Sequence, residues 1–230
     1  MSDGTPHLLL VNPNANTATT RVMTALAQAV LTGTGLTARG ATADSGPSVI
    51  TGPEALAASV PHVLRSARRN VTADTVGIIV AAIGDPGVRE LRQCWTGPVV
   101  GLGEASIMAA GRDGRRFGMV TSTKRLGPGL LGLVRRHAGP GVFTGLRFTG
   151  ASAGQLAADD ALEYRELSEA VRLCEQVDGA ESVIVGGGPL SRTARRLADE
   201  HRSVVVEPVP SAVAHLLDAL GLAARSGVQP

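Results

Sequence analysis

Few side chains in this sequence stand where they could move a proton for a bound molecule. Three carboxylates do, each at the end of an apolar run: Asp85 in Gly84-Asp85-Pro86-Gly87, Glu104 after Gly101-Leu102-Gly103, and Glu207 before Pro208. A carboxylate becomes a useful base near neutral pH only where desolvation raises its pKa. Asp85 also suits a turn beside Pro86, Glu104 suits a helix cap, and Glu207 either reaches a cleft or braces a turn. Asp85 and Glu207 are therefore the candidates for acid–base work. His137, in Arg135-Arg136-His137, fits a solvated helix end. Lys124 is the only lysine among 22 basic side chains, which reads as composition rather than chemistry. Cys94 and Cys174 lie in helix-like segments, with no C-x-x-C and no neighbouring His cluster. Neither a disulfide scaffold nor a zinc site is expected.

The elements that must position these groups alternate strand and helix from end to end. VGIIVAAIGDPGVRE, from Val76 to Glu90, reads as a buried strand, a tight turn and a helix start. Ligands of open α/β sheets bind outside the carboxyl ends of the strands, so the loop Ala81 to Gly87 is the first site candidate. Before it come a strand at His7–Val11 and a helix through RVMTALAQAVL capped by Thr17 or Thr19. A strand in GTGLTARGAT follows, then a helix starting after Gly52 and kinked or broken at Pro61. After it come the short helix VRELRQCW, a short strand, a helix starting near Glu104 or Ala105, and a strand at Arg116–Val120 ending in Thr121-Ser122-Thr123. A helix then carries Leu130 to His137, VFTGLRFTG is a strand, ASAGQLAADD a polar connection, and ALEYRELSEAVRLCEQVDGA a helix. SVIVGGGPLSRTARRLADEH gives strand, glycine turn and helix, and VVVEPVPSAVAHLLDALGLAA a last strand and helix, with the tail beyond Ala224 frayed. The alternation predicts an α/β fold with mainly parallel sheets flanked by helices. SVIVGGGPL echoes VGIIVAAIGDPG, which suggests two similar halves with their turns converging on one cleft.

A chain of 230 residues with 43% hydrophobic residues can bury a sizeable core. Aromatics make up only 2% and the net charge is +2, so stacking surfaces and a strong basic field are both lacking, and no nucleic-acid partner is expected. The arginines are scattered in RSARR, GRDGRR, VRRH and TARR, as on solvated helix faces. No apolar run approaches the roughly 18 residues of a membrane span, and the N-terminus lacks a secretory pattern. A cytoplasmic protein with no membrane partner is expected. With no G-x-x-x-x-G-K-[ST], H-E-x-x-H or G-x-G-x-x-G, no metal and no cofactor is implied.

Six ordered segments, LLLVNPNANTATT, ITGPEA, VAAIGDPGVREL, PVVGLGEASIMAA, RFGMVTSTKRLGP and VIVGGGPL before EPVPSAV, resemble the Asp/Glu/hydantoin racemase superfamily, and its hydantoin racemase branch most closely. The resemblance covers roughly residues 7 to 220. It implies two pseudo-symmetric α/β halves, here drawn as 1–100 with 205–230 and 101–204, with the site in the cleft between them and a homo-oligomeric assembly. It also implies cofactor-independent chemistry at a carbon next to a carbonyl, carried out by two opposed cysteines. Those cysteines fall at Ala82 and at or next to Gly188, where this chain has no thiol. The implied substrate contacts fall on Asn12, on Ala82, Ile83 and Gly84, on Thr121 and Ser122, and on Gly187, Gly188 and Pro189. The expected function is that of an isomerase or racemase-like enzyme using non-thiol acid/base groups on a small hydantoin, amino-acid or dicarboxylate-type substrate. The alternatives are an inactive or small-molecule-binding homologue, or a lyase or decarboxylase using the same oxyanion pocket.

Overall fold

Residues 4–222 are described by the computed structural model; the tail expected to fray beyond Ala224 lies outside them. β1 (His7–Asn12), β2 (Thr37–Thr42), β3 (Thr75–Val80) and β4 (Val99–Gly101) form one parallel sheet in the order β2-β1-β3-β4. β5 (Phe117–Thr121), β6 (Phe143–Phe148), β7 (Ser182–Val185) and β8 (Val204–Val206) form a second in the order β6-β5-β7-β8. The two sheets match in detail. Ala81 N–H donates to Val11 O and Gly186 N–H to Val120 O, both at 2.8 Å. Strand β1 is buried throughout because helices cover both faces, which is why it reads as a continuous apolar run rather than an alternation.

Nine helices connect the strands of the described chain: α1 (Thr17–Val30), α2 (Pro53–Asn70), α3 (Val88–Cys94), α4 (Leu102–Ala110), α5 (Gly127–His137), α6 (Ala153–Ala158), α7 (Asp160–Gln176), α8 (Ser191–Ala198) and α9 (Pro208–Ala219). Four expectations are corrected. Asn16, not a threonine, caps α1, its Oδ1 accepting from Thr19 N–H at 3.0 Å. Helix α2 runs through Pro61 without a break. Pro61 and Ala57, whose carbonyl loses its helical partner, both lie on the exposed side, so the freed carbonyl is not buried without a partner. Helix α4 starts at Leu102, two residues early, because its first N–H groups are capped from another segment. The polar stretch after Gly150 holds α6, nucleated by Ser152 and Gln155, each side chain accepting the other's backbone N–H.

The helices that follow the fourth strand of each sheet are exchanged. Helix α4, after β4, packs against α5, β7 and β8, whereas α9, after β8, packs against α1, β3 and β4. Accordingly Val209, Ala212, Val213 and Leu216 of α9 lie in the apolar core with Leu8, Leu10 and Ile79. Ile107 and Ala110 of α4 lie with Phe117, Met119 and Ile184. This exchange joins the halves and sets the cleft between the strand ends. Among the described residues no helix is long and apolar enough to cross a membrane.

Candidate functional site in the cleft between the halves

At the carboxyl ends of β3, β5 and β7 the chain turns, and these turns line one cleft. Ala82, Ile83 and Gly84 come from the first half, Thr121, Ser122 and Thr123 from the second, and Gly186, Gly187 and Gly188 face them. Ile50, Leu56, Leu126 and Leu190 supply apolar walls. The two halves touch here: a Cβ at Gly186 would lie 3.1 Å from Ile83 Cγ1. The N–H groups of Ile83, Gly84, Gly187 and Gly188 have no hydrogen-bond partner among the described residues. Gly187 has φ +154, a backbone conformation that L side chains rarely adopt. Pro189 follows in the short 3-10 turn Gly188–Leu190.

The first turn is fixed by Asp85. Its Oδ1 accepts from Gly103 N–H and its Oδ2 from Glu104 N–H, both at 2.7 Å, so it caps α4 from 18 residues away in sequence. Gly101, the residue preceding α4, has no side chain with which to cap it. Glycine is needed here for close approach: a Cβ at Gly101 would meet Asp85 Cγ at 2.3 Å, and one at Gly103 would meet Ile83 O at 2.3 Å. Asp85 itself sits at φ +52, a left-handed conformation that aspartate tolerates better than most residues. Burial pushes its carboxyl up from 3.8 to about 8, against the two N–H donors, which favour the ionised form.

The sequence candidates are thus sorted by where they point. Ala82, Ile83, Gly84, Thr121, Ser122, Gly187 and Gly188 line the cleft together. Asp85 and Glu207 are not brought to it: Asp85 faces α4, and Glu207 takes Arg195 Nε on both oxygens at 2.8 Å on another face. Asn12 is absorbed by its own loop, Nδ2 donating to Asn14 Oδ1 and Thr20 Oγ1 at 3.0 Å and Oδ1 accepting from Asn14 N–H at 3.2 Å. The cleft residue of that loop is instead Asn14. Because Asn14 Oδ1 already accepts from Asn12 Nδ2 and Asn16 N–H, its amide Nδ2 remains as a donor.

The other candidates lie outside the cleft. Glu104 is buried, its Oε1 accepting from Gly101 N–H at 3.1 Å and from Arg92, with His137 Nε2 3.9 Å from Oε2. Burial lowers the His137 pKa, partly offset by Glu104. Lys124 is exposed. Cys94 is exposed in α3, and Cys174 is buried in α7, where desolvation pushes its thiol up to about 12. No group of three His, Cys, Asp or Glu among the described residues is placed to hold a metal ion.

One cleft residue was not singled out from sequence. Glu163 of α7 lines the cleft, with 8% of its surface exposed, and is the only titratable side chain among the lining residues described. The signal was available: α7 buries Glu163, Leu167, Ala170, Val171 and Cys174, so a carboxylate occupies the inward stripe of an amphipathic helix.

The family described as Asp/Glu/Hydantoin racemase matches residues 8–216. A hydantoin racemase of Paenarthrobacter aurescens is 32% identical over 221 residues, 93% of this chain and 92% of that protein. A hydantoin racemase of Rhizobium meliloti is 27% identical over 208 residues, 90% and 86% of the two chains. Among solved structures, an allantoin racemase from Klebsiella pneumoniae superposes with a TM-score of 0.87 at 27% identity, covering 95% of this chain and 89% of its own.

Proposed function

The chain belongs to the Asp/Glu/hydantoin racemase family, and from that premise we propose that it is a cofactor-independent racemase or isomerase acting on the carbon next to a carbonyl of a small cyclic ureide of the 5-substituted hydantoin type. Kinship with hydantoin racemases supports the reaction type and the substrate class. The observation that carries the reading is the pair of strand-end turns that line one apolar cleft and whose N–H groups have no partner among the described residues. Removing a proton from the carbon leaves negative charge on the neighbouring carbonyl oxygen. N–H donors fixed in advance at that oxygen, in a site walled by Ile50, Leu56, Leu126 and Leu190, stabilise that charge more than water would.

The amide of Asn14 and the hydroxyl of Ser122 add donors that orient a ring bearing several carbonyl and N–H groups. The apolar walls suit a hydrocarbon substituent at the reacting carbon. The test is solvent deuterium exchange at that carbon, followed by NMR across 5-substituted hydantoins, amino acids and substituted dicarboxylic acids. Exchange concentrated in the hydantoins is the expected result. Exchange confined to the acids would move the substrate class. Saturable binding with no exchange on any compound would replace the enzyme by a small-molecule binder.

A further inference from the structure

We infer that Glu163 is the catalytic acid–base residue of this cleft, taking the proton from the substrate carbon and returning one to the same face. The inference rests on the carbon-acid reading above and names the group that reading leaves open. In the forward step the C–H bond breaks, its electron pair moves into the enolate, and the proton passes to a Glu163 carboxylate oxygen. In the return step that proton, or one exchanged with solvent, re-forms the C–H bond and leaves the carboxylate ionised.

Four observations converge on this residue. Glu163 lies at the junction of the cleft and an adjoining groove lined by Asn16 and Arg192, so one side chain borders both. One oxygen, Oε1, accepts from the Thr193 hydroxyl of α8, and the second has no hydrogen-bond partner among the described residues. Among the described residues it makes no ion pair. A carboxylate so enclosed and half-partnered is costly if it serves packing alone, since glutamine would hold Thr193 equally well. Finally, burial raises its pKa toward neutrality, with Thr193 and Arg192 opposing and Asp160 assisting.

The other lining residues described offer Ala82, Ile83 and Gly84 backbone and the hydroxyls of Thr121 and Ser122, none of which is a base near neutral pH. Return from Glu163 restores the original configuration; inversion needs a proton delivered from solvent to the other face. Exchange with retained configuration outruns inversion.

The experiment follows wild type and Glu163→Gln in deuterium oxide with 5-substituted hydantoins, reading exchange by NMR and inversion by chiral chromatography. Wild type exchanges faster than it inverts. Glu163→Gln loses exchange by about 10²- to 10⁴-fold while ligand binding and the melting temperature hold. Glu169→Gln, on the exposed side of the same helix, leaves the rate unchanged. Thr193→Val keeps activity but moves the low-pH limb of the exchange profile to higher pH, because the lost hydrogen bond favoured the ionised carboxylate. Exchange that survives Glu163→Gln, a limb unmoved by Thr193→Val, or inversion as fast as exchange in the wild type overturns the role of Glu163 and leaves the carbon-acid reading standing. A wild type that exchanges none of the compounds overturns both.

Discussion

The two turns facing each other across the cleft close equivalent strands, β3 and β7, yet they are held by opposite means. In the first half a carboxyl group is the fastener: Asp85 binds the leading N–H groups of α4 and keeps the turn Ala82–Gly84 in place. In the second half the turn is three glycines and a short 3-10 segment, and the nearby carboxylate of Glu163 faces the cleft. A near-symmetric scaffold thus carries an asymmetric site. Where the acid is structural, the turn contributes donors alone; where the turn has no side chains, an acid from a neighbouring helix occupies the space.

The largest effect expected from breaking this contrast is on stability at the first turn. Asp85→Ala leaves two donors at the start of α4 without partners and is expected to cost about 2–4 kcal/mol in denaturant unfolding, or roughly 2–4 °C in Tm for each kcal/mol at this chain length. A loss no larger than a surface substitution would remove the fastener from the comparison. The same residue predicts a pH dependence. The folded-state pKa is raised from 3.8 to about 8, so the folded protein holds the proton more tightly than the unfolded chain. Its contribution is therefore full below about pH 4 and lost as pH rises through 8. Stability of wild type falls across that window, and Asp85→Asn flattens the fall.

Next in size, Ala82→Cys sharpens the contrast by adding an ionisable group to the side of the cleft that has none. Inversion should rise by up to about 10²-fold relative to exchange, measured on the same samples by chiral chromatography and NMR. An unchanged ratio would mean that the first turn does not face the reacting carbon. Gly187→Ala tests the glycine turn itself. At φ +154, with Leu190 Cδ1 3.2 Å from the added Cβ, it is expected to cost about 1–2 kcal/mol and to weaken binding, read by calorimetry with a hydantoin. Smallest is Ser122→Ala, which removes one donor and raises KM by about 5-fold, near 1 kcal/mol, with kcat little changed.

How much of this could be read from sequence follows from how local each cause is. The strands and the three strand-end turns are legible because apolar runs and glycine clusters are written in adjacent residues. The turns lie at the ends of β3, β5 and β7, where they were expected, with Ser122 and Gly188 among their residues. What was not legible depends on partners distant in sequence. Asp85 beside Pro86 looks like a turn residue from its neighbours, and only the fold brings Gly103 to it. Glu207 before Pro208 gives no hint of Arg195 on α8. Asn12 and Asn14 are equally polar and two residues apart, so which one is absorbed by the loop depends on Thr20. Glu163 was readable in principle, as a charge on an otherwise apolar stripe, but periodicity scores a single acid in the first turn of a helix as ordinary.

The exchange of α4 and α9 has a consequence in time. As the chain is made, the first sheet is complete by Gly101, but the helix that seals its core, Pro208–Ala219, comes only after every strand of the second sheet. Until then the surface that Leu216 covers above Gly77 is open, and the second sheet must form while the first is uncapped. The halves are therefore not autonomous folding units: folding is expected to be slow and all-or-none, and removing α9 should unfold both sheets, including the one that begins about two hundred residues earlier at His7.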